Sequence, residues 1–347
     1  MTNVQPSKAI TRADVARYAG VSTAVVSYTL NNGPKPVAFA TAERVRNAVR
    51  VLGYRPNAAA RALKRGSADM IGLVVPDSSN PFFAELAQAT EDAAEALGYA
   101  LVVINGNDRD IVEHVNRLAS RQVDGIIVAC DLRLVDIANL TASGIRLSLF
   151  NQLHPTEGTH AIGSDLLNGT RLGVGHLIEH GHTRIGFVGN ITPSDSRLRG
   201  WEDALREAGL SPEHRYQAGY SRDGGYAAGQ ELVASADRPT ALFVSTDMQA
   251  VGVLRALHEA SISIPENIAI VSLDGTPEAQ YSWPALTTLR QPVREMAKDA
   301  VAHLLAHSDV VDDHRLYPLE LVVRQSCGCA LPGTAAAGPA NGIRLKP

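Results

Sequence analysis

The chain has 347 residues, of which 45% are hydrophobic, and this length is typical of a globular protein with two or three domains. Its apolar runs stay below the ~18 residues that a membrane-spanning helix needs, and Met1–Lys8 contains no apolar signal core. Three cysteines are too few for a disulfide framework and fit a reducing compartment. We therefore expect a cytoplasmic protein that makes no contact with a membrane.

Positive charge is concentrated in the first fifth of the chain. Residues 1–65 contain eleven lysines and arginines against two acids, a net charge of +9, whereas the rest of the chain carries −13. Contact with a polyanion requires a local positive potential. The sequence therefore predicts that the first segment binds nucleic acid and that the acidic remainder does not.

Three short helices are predicted in the basic segment. The capping box Thr11–Asp14 begins the first helix, which ends at Gly20. Ser22 caps a second helix that runs to about Leu30. A third, with apolar residues on one face, spans Ala42–Leu52. Three helices in so short a segment predict a compact module.

The first two helices have the residues of a helix-turn-helix. Small Ala16 lets the helices approach, Gly20 permits the tight turn, and Val26 fills the space between them. Val26 and Leu30 point inward, which leaves the opposite face of the second helix for the major groove. A generic three-helix bundle would leave the +9 charge unexplained. We assign DNA contacts here to Ser22, Thr23, Ala24, Ser27, Tyr28 and Asn31.

An alanine-rich segment follows the basic module. Residues 57–63 have high helix propensity but cover only about two turns, which is marginal in water for an isolated helix. The segment is therefore expected to fold on contact with a partner. Gly66–Ala68 is interpreted as a linker.

From Met70 the pattern changes to apolar strands alternating with amphipathic helices. Strands are predicted at Met70–Val75, Ala100–Ile104, Gly125–Val128, Arg146–Leu149, Arg184–Val188, Ala241–Val244 and Ile268–Ser272. Helices are predicted at Phe83–Leu97, Ile111–Arg121, Leu166–His180, Arg199–Ala208 and Met248–Ala260. The alternation indicates parallel sheets covered by helices on both faces, and a region of about 260 residues favours two sheets over one.

These segments resemble the lactose-repressor (LacI) family of bacterial regulators. The matching residues are Thr11–Ser22, Val26–Ser27, Leu30–Asn31 and Leu52–Leu63, and the resemblance continues to about Cys327. It implies that residues 57–64 form a hinge helix on operator DNA, where Leu63 of each protomer enters the minor groove. Asn57, Ala60 and Leu63 are accordingly expected to contact DNA. The family usually has Thr-Val-Ser-Arg at 25–28, where this chain has Val-Val-Ser-Tyr, so the operator sequence cannot be transferred.

The resemblance also implies a fold class and a domain organisation. The expected fold is α/β, with an N-terminal helix-turn-helix module and hinge helix followed by a two-lobed, periplasmic-binding-protein-like core of parallel sheets. The domains are residues 1–56 for DNA binding, 57–68 for hinge and linker, and 69–330 for effector binding and dimerisation, with a disordered tail at 331–347. A homodimer is expected because palindromic operators need two-fold proteins.

Effector-binding residues are expected between the two lobes. No phosphate-binding loop follows the first strand; in the resembling family the loop there lines the effector cleft, which places Asn80 and Phe82 near the ligand. One ring of the Phe82–Phe83 pair is expected in the core and one in the cleft. Arg197 matches a family arginine that projects into the cleft. Asn151, Asp247 and Asp274 match other cleft positions.

This set of residues favours a sugar or a related polyhydroxylated metabolite. One arginine with Asp and Asn residues at strand ends orients hydroxyl groups through charge-assisted hydrogen bonds. Gln152 occupies a position where a purine-sensing relative carries an aromatic residue, which makes a stacked base less favoured.

Two local patterns offer metal ligands. His176 and His180 are spaced i, i+4, with His182 just beyond, and Cys327-Gly-Cys329 could chelate a metal or form a strained disulfide. We interpret the histidines as the amphipathic end of a helix, and the cysteines as two thiols at a strand end without further ligands nearby. No metal and no cofactor are therefore expected.

Two other classes of protein share features of this chain. A periplasmic solute-binding protein would have the two-lobed core but needs a signal peptide and lacks a basic helix-turn-helix. A sugar-modifying enzyme could use the same α/β core, but the sequence shows no nucleophile elbow, metal triad or phosphate loop. The preferred interpretation is a transcription regulator, a repressor controlled by a small-molecule effector, and not an enzyme.

Overall fold

The structure is a computed structural model that describes residues 10–30, 35–55, 66–106, 111–130, 132–142, 144–153, 159–306 and 313–329. The chain forms two compact units, with the boundary between Ala68 and Asp69. Within the described ranges, no helix combines the length and the apolarity needed to cross a lipid bilayer.

The described part of the first unit contains three helices around a small core. They are α1 (Arg12–Ala19), α2 (Thr23–Leu30) and α3 (Phe39–Leu52). The third helix begins three residues before the predicted Ala42, because Ala38 precedes it without a side-chain cap that the sequence could reveal. Buried residues from all three helices form the core: Val15, Ala16, Ala19, Val26, Val45, Ala48 and Tyr54.

Helix termini in this unit follow the predicted signals. The Thr11 hydroxyl accepts from the Asp14 amide at 3.4 Å, and the Asp14 carboxylate accepts from the Thr11 amide at 2.9 Å, which completes the capping box. Gly20 ends α1 with a φ of 63°. That left-handed conformation is accessible to glycine without a Cβ penalty, so the chain can turn sharply into α2.

The first lobe of the second unit contains a six-stranded sheet in which all neighbours are parallel. Its strands are β1 (Met70–Val75), β2 (Ala100–Asn105), β3 (Ile126–Val128), β4 (Leu147–Phe150), β5 (His160–Ser164) and β11 (Asp313–Tyr317), in the order β11-β5-β4-β3-β1-β2. Its helices are α4 (Pro81–Glu95), α5 (Ile111–Ser120), α6 (Leu134–Ala142) and α12 (Val293–Leu305). One hydrophobic cluster joins the sheet to α4 and α12, and another joins it to α5 and α6. Both faces are therefore covered, as a parallel sheet requires.

A second six-stranded sheet forms the other lobe. Its strands are β6 (Ile185–Gly189), β7 (Arg215–Gln217), β8 (Ala241–Val244), β9 (Ala269–Asp274), β10 (Thr287–Arg290) and β12 (Glu320–Val322), in the order β12-β10-β9-β8-β6-β7. Only β12 is antiparallel to its neighbour. Its helices are α7 (Leu166–Glu179), α8 (Ser196–Glu207), α9 (Arg222–Ala234), α10 (Asp247–Glu259) and α11 (Pro277–Tyr281). Clusters built on α7 with α8, and on α9 with α10, cover its two faces. The predicted α/β class with two parallel-sheet lobes is confirmed.

Chain crossovers between the lobes determine which sheet edges face each other. In the described residues, β5 leads into α7 at Asp165, β10 into α12 at Gln291–Pro292, and β11 into β12 at Pro318–Leu319. Each crossover leaves the carboxyl end of a parallel strand. The carboxyl edges of the two sheets therefore face each other, and this is where open α/β sheets bind ligands. The C-terminal end of α7 lies at the opposite edge, because it leads into the start of β6.

Several elements were missed by the sequence analysis, namely β5, β7, β10, β11, β12, α6, α9, α11 and α12. Helix α9 shows the physical reason most clearly, because Gly224, Gly225 and Gly229 lower its helix propensity. A Cβ at Gly225 would lie 2.0 Å from the Gln249 carbonyl oxygen, and one at Gly229 would lie 2.6 Å from the Ala256 Cβ. The glycines are thus required for direct packing of α9 on α10, and tertiary packing overrides propensity.

Candidate functional site

The exposed face of α2 is the candidate DNA-reading surface. Val26 is fully buried against the other two helices of the module, and Leu30 packs at the edge of the same core. This packing turns the opposite face of α2 outward. Of the predicted contacts on that side, Ser22, Thr23 and Ala24 are exposed, and Ser27 and Tyr28 are partly exposed.

Hydrogen bonds at the start of α2 position its first turn. The Ser22 hydroxyl accepts from the Val25 amide at 3.3 Å, so the helix begins at Thr23 as predicted. The Thr29 hydroxyl donates to the Val25 carbonyl at 2.9 Å and is therefore engaged by its own helix. First-turn side chains are the ones that reach base edges in helix-turn-helix complexes. The predicted contacts Asn31, Asn57, Ala60 and Leu63 lie outside the described residues.

Polar side chains follow the carboxyl ends of the strands in the second lobe. Asn190 comes after β6, Tyr220 after β7, Ser245 after β8 and Gln291 after β10, while Asp274 is the last residue of β9. All five strands lie side by side and parallel in the sheet, so their carboxyl ends meet at one edge. This edge faces the first lobe and forms one wall of the candidate effector cleft.

Arg197, in the first turn of α8, is held at this wall by several contacts. Its Nε and Nη2 atoms donate to the two carboxylate oxygens of Asp195, each at 3.1 Å. Nη2 also donates to the Tyr220 hydroxyl, and Nη1 to the Ser245 carbonyl at 3.4 Å. These contacts use four of the five guanidinium N–H groups. One N–H on Nη1 makes no contact with any described residue and is available to a ligand.

The aromatic ring of Tyr220 completes this arrangement. The Arg197 guanidinium carbon lies 4.9 Å from the ring centroid, a cation–π distance, and the Tyr220 hydroxyl donates to Asp195 at 2.8 Å. Burial of the hydroxyl raises the pKa of Tyr220 to about 12, so it stays a proton donor at neutral pH. Asp195, Arg197 and Tyr220 therefore form one hydrogen-bonded group, called here the arginine cluster.

The pKa values of two carboxyl groups, Asp195 in the arginine cluster and Asp274 beside it, are shifted in opposite directions. Burial acts to raise the pKa of Asp195, but the charge and hydrogen bonds of Arg197 outweigh it, and the pKa is lowered. Burial raises the pKa of Asp274 well above its ordinary value; the charge of Asp247 adds to this and that of Arg197 opposes it. Asp274 accepts hydrogen bonds from the Gln291 side chain at 2.9 Å and from the Asp247 backbone. It is thus a buried carboxyl with unused acceptor capacity at the cleft wall.

Asp247 lies beneath the wall rather than on it. It has no exposed surface, and it accepts from the hydroxyls of Ser272, Thr276 and Thr288 at 2.6 to 3.0 Å and from the Thr276 amide at 2.7 Å. Burial raises its pKa, and these hydrogen bonds act against the rise. Asp247 joins the start of α10 to β9, β10 and α11. This residue, which was predicted to contact the effector, therefore has a structural position in the fold.

In the first lobe, the predicted residues also lie at the carboxyl edge. The Asn80 side chain caps α4 by accepting from the Phe82 amide at 3.0 Å, which explains why the helix begins at Pro81. Phe82 is 4% exposed and packs in the core, with the partly buried ring of Phe83 at 5.1 Å. Phe82 is therefore the core ring of the pair. Asn151 follows β4 with a φ of 63°, a conformation that aims its side chain differently from the strand residues before it.

Sequence reasoning missed Asp195, Tyr220 and Gln291. Asp195 had a local signal, because an acidic residue directly before a helix is a common N-cap, and it does cap α8 through the Arg197 amide at 2.9 Å. Tyr220 had none. It reaches Arg197 only because β7 pairs with β6, and a three-residue edge strand leaves almost no pattern in a sequence.

Comparisons with known proteins place these features in a family. The family model described as bacterial regulatory proteins, lacI family, matches residues 11–57, and the model of a periplasmic binding protein-like domain matches residues 174–327. The HTH-type transcriptional repressor PurR of Photobacterium profundum is 32% identical over 325 residues, which cover 90% of this chain and 97% of that protein. The ribose operon repressor of Escherichia coli is 32% identical over 314 residues, 85% of this chain and 92% of that protein.

A solved structure agrees with these matches. The lac repressor dimer bound to operator and the anti-inducer ONPF has 28% sequence identity and a TM-score of 0.83, and the match covers 92% of this chain and 99% of that chain. The similarity extends over both units of the fold.

Proposed function

The chain belongs to the lacI family of bacterial regulatory proteins, and from this we infer that it binds a palindromic operator as a homodimer and changes its operator affinity when a sugar-like effector binds between its lobes. The observation that carries the proposal is the combination of two sites in one chain. A basic helix-turn-helix exposes the polar face of α2, and a separate two-lobed unit holds the arginine cluster at its cleft.

DNA recognition is assigned to the first unit and the segment that follows it. The described face of α2 presents hydroxyl and methyl groups, which suit hydrogen bonds and apolar contacts with base edges in the major groove. Phosphate contacts would come from the surrounding lysines and arginines, which give residues 1–65 their charge of +9. The lac repressor, similar along its whole length, is bound to operator in its solved structure.

We assign effector sensing to the arginine cluster and Asp274 of the second lobe, with Asn80 and Asn151 across the cleft in the first lobe. A guanidinium with one free N–H and a neighbouring carboxyl acceptor can hold adjacent hydroxyls of a sugar. A ligand shifts an equilibrium only if it binds two states unequally, and a ligand between two lobes satisfies this condition because closure adds contacts from the second lobe. The ribose operon repressor among the relatives supports a sugar.

The dimer is proposed to use the exposed aromatic residues at the C-terminal end of α11. Tyr281 and Trp283 are 82% and 86% exposed, the highest values of any large hydrophobic side chain in the described residues. Exposed aromatic clusters of this kind mark protein interfaces. A second copy of the chain is the partner that fits, since palindromic operators need two-fold symmetry.

Domain limits follow from the same proposal. We propose a DNA-binding domain at residues 1–56, a hinge and linker at 57–68, and an effector domain at 69–330; the boundary between Ala68 and Asp69 supports the last limit. The chain acts as a regulator, since its relatives are repressors. A DNA-binding regulator works in the cytoplasm, where the chromosome is, and no catalytic role is proposed.

DNA binding by the full chain tests this function against its alternatives. The assay is a fluorescence-anisotropy titration on a duplex from the region upstream of its own coding sequence, with a scrambled duplex of equal composition as control. We expect a preference of about 10³-fold or more for the upstream duplex, and an affinity that falls steeply with salt. Equal affinity for both duplexes, or a flat salt response, would instead favour a solute-binding protein or an enzyme.

A further inference from the structure

Two patterns that are remote in the sequence meet at the outer edge of the second lobe. His176 and His180 lie at the C-terminal end of α7, and Cys329 lies just after β12. The Cys329 Sγ is 3.6 Å from the Nε2 of His176 and 3.2 Å from the Nε2 of His180. These three potential ligand atoms all lie within 4.8 Å of one another. The sequence analysis found no further ligands near the cysteines, and the fold supplies two.

Local structure explains why these three side chains converge. His176 and His180 are one helical turn apart, so they project from the same side of α7. Cys327 is 1% exposed and packs in the cluster that contains Leu177 of α7, which fixes the C-terminal segment against the helix. Gly328 then adopts a φ of 86°, which turns the chain and directs Cys329 towards the imidazoles.

The sulfur–nitrogen distances can be compared with those of a zinc site. A thiol can donate to one imidazole and accept from the N–H of the other, so hydrogen bonding is the alternative to a bound cation. A tetrahedral zinc ion with Zn–S near 2.3 Å and Zn–N near 2.0 Å separates its sulfur and nitrogen ligands by about 3.5 Å. The observed 3.6 Å and 3.2 Å are close to that separation. Both sulfur–nitrogen separations therefore fit a shared cation, and the two imidazole nitrogens lie within 4.8 Å of each other.

We propose that His176, His180 and Cys329 bind one zinc-like divalent cation. Two imidazoles and one thiolate are a borderline-soft donor set, which suits zinc and the later divalent transition metals rather than magnesium or calcium. When the cation binds, a sulfur–metal bond forms and the Cys329 thiol releases its proton to water. The remaining tetrahedral position is open to a water molecule.

Neighbouring groups define the limits of this site. His182 does not belong to this group of ligand atoms, and its Nδ1 is 3.0 Å from the Thr240 hydroxyl. His180 is exposed and the other two ligands are partly exposed, so a cation can enter from solvent. The site lies at the amino edge of the sheet, opposite the arginine cluster. A bound metal would join the segment after β12 to α7, and this inference does not depend on the proposed regulatory function.

Cobalt(II) binding to the full chain tests the site. Protein that has been reduced and treated with a chelator is titrated with Co²⁺ alone, and its absorption spectrum is recorded. We expect one Co²⁺ per chain, a thiolate-to-cobalt charge-transfer band in the near ultraviolet, and the intense visible bands of tetrahedral cobalt. Zn²⁺ should displace the cobalt and erase the bands, and should raise the melting temperature by mass action.

Three variants separate the site from adventitious binding. Cys329→Ser should abolish the charge-transfer band, and His180→Gln should weaken binding by at least roughly tenfold. His258→Gln is the matched control, because His258 is also an exposed histidine at the C-terminal end of a helix, and it should bind as wild type does. Absence of the band in reduced wild-type protein would overturn the proposal, as would a band that survives in Cys329→Ser.

Discussion

Arg197 carries a buried positive charge at a surface that is otherwise built from strand ends. The side chains of Arg197 and Asp195 are only 16% and 5% exposed. A buried ion pair is weak evidence for stability, since its desolvation cost can exceed the attraction. The pair is better understood as a positioning contact, because Asp195 holds the guanidinium in one orientation at the cleft wall.

Replacing Arg197 should therefore remove sensing. A panel of pentoses, hexoses and disaccharides first identifies the sugar that raises the melting temperature of the wild-type protein most. In Arg197→Ala we expect this sugar to give no rise, because the charge-assisted contact is gone. Differential scanning fluorimetry measures it. Arg199→Ala, two residues along the same helix and exposed, is the control and should respond as wild type does. A wild-type response in Arg197→Ala would remove this residue from the site.

Asp274→Asn should stabilise the folded protein at neutral pH. Because the folded-state pKa of Asp274 is raised above 3.8, the native carboxyl keeps its proton where the unfolded one has lost it. Its contribution to stability therefore declines as the pH rises through that window. One pKa unit corresponds to about 1.4 kcal/mol, so the variant should melt a few degrees higher near pH 7, and the gain should shrink towards pH 4. An equal gain at both pH values would contradict the raised pKa.

At the scale of helices and strands, the sequence predicts those elements that have a local signal, such as a helix cap or a continuous apolar run. Capping residues located α1 and α2, and the continuous apolar runs located β1 and β8 with their observed ends. Short edge strands such as β7 and the glycine-rich α9 were missed, because tertiary contacts stabilise them. The same limit applies to the site: Arg197 was identified through the family resemblance, whereas Tyr220 becomes its partner only in the folded sheet.

The packing of α9 on α10 tests whether tertiary contacts require the glycines of α9. Gly225→Ala places a methyl group against the backbone of Gln249, so we expect a loss of stability of about 1–3 kcal/mol. Gly175→Ala is the control, since a Cβ at this position of α7 meets no atom within 4 Å and should be neutral or raise stability by about 0.5–1 kcal/mol. Urea denaturation of the two variants measures the difference. Similar effects in both would show that close approach does not require Gly225.

The segment at residues 57–64 is expected to act only on DNA. Leu63→Ala should weaken binding to the operator far more than binding to random DNA, because a wedge in the minor groove contributes only when the hinge helix folds there. Anisotropy titrations on both duplexes measure the two losses, and the random duplex serves as the internal control. Equal losses on the two would exclude a role in specific recognition.

At the scale of the whole molecule, the proposed dimer can be tested at the exposed aromatic residues. Trp283→Asp should shift the protein from dimer to monomer at micromolar concentration, because it places a charge on the proposed apolar interface. Light scattering measures the mass. Leu134→Asp, at a 71% exposed position in the first lobe, is the control and should leave the dimer intact. A dimer that persists in Trp283→Asp would place the interface elsewhere.

The proposed function couples effector binding in the cleft to the affinity for the operator. The direct measurement is the operator affinity of the full-length wild-type protein, determined by anisotropy with and without a saturating concentration of the sugar that stabilises it. Allosteric coupling typically amounts to 1–3 kcal/mol, so the affinity should change by roughly 5- to 150-fold. An operator affinity that is unchanged while the cleft is saturated would contradict the claim.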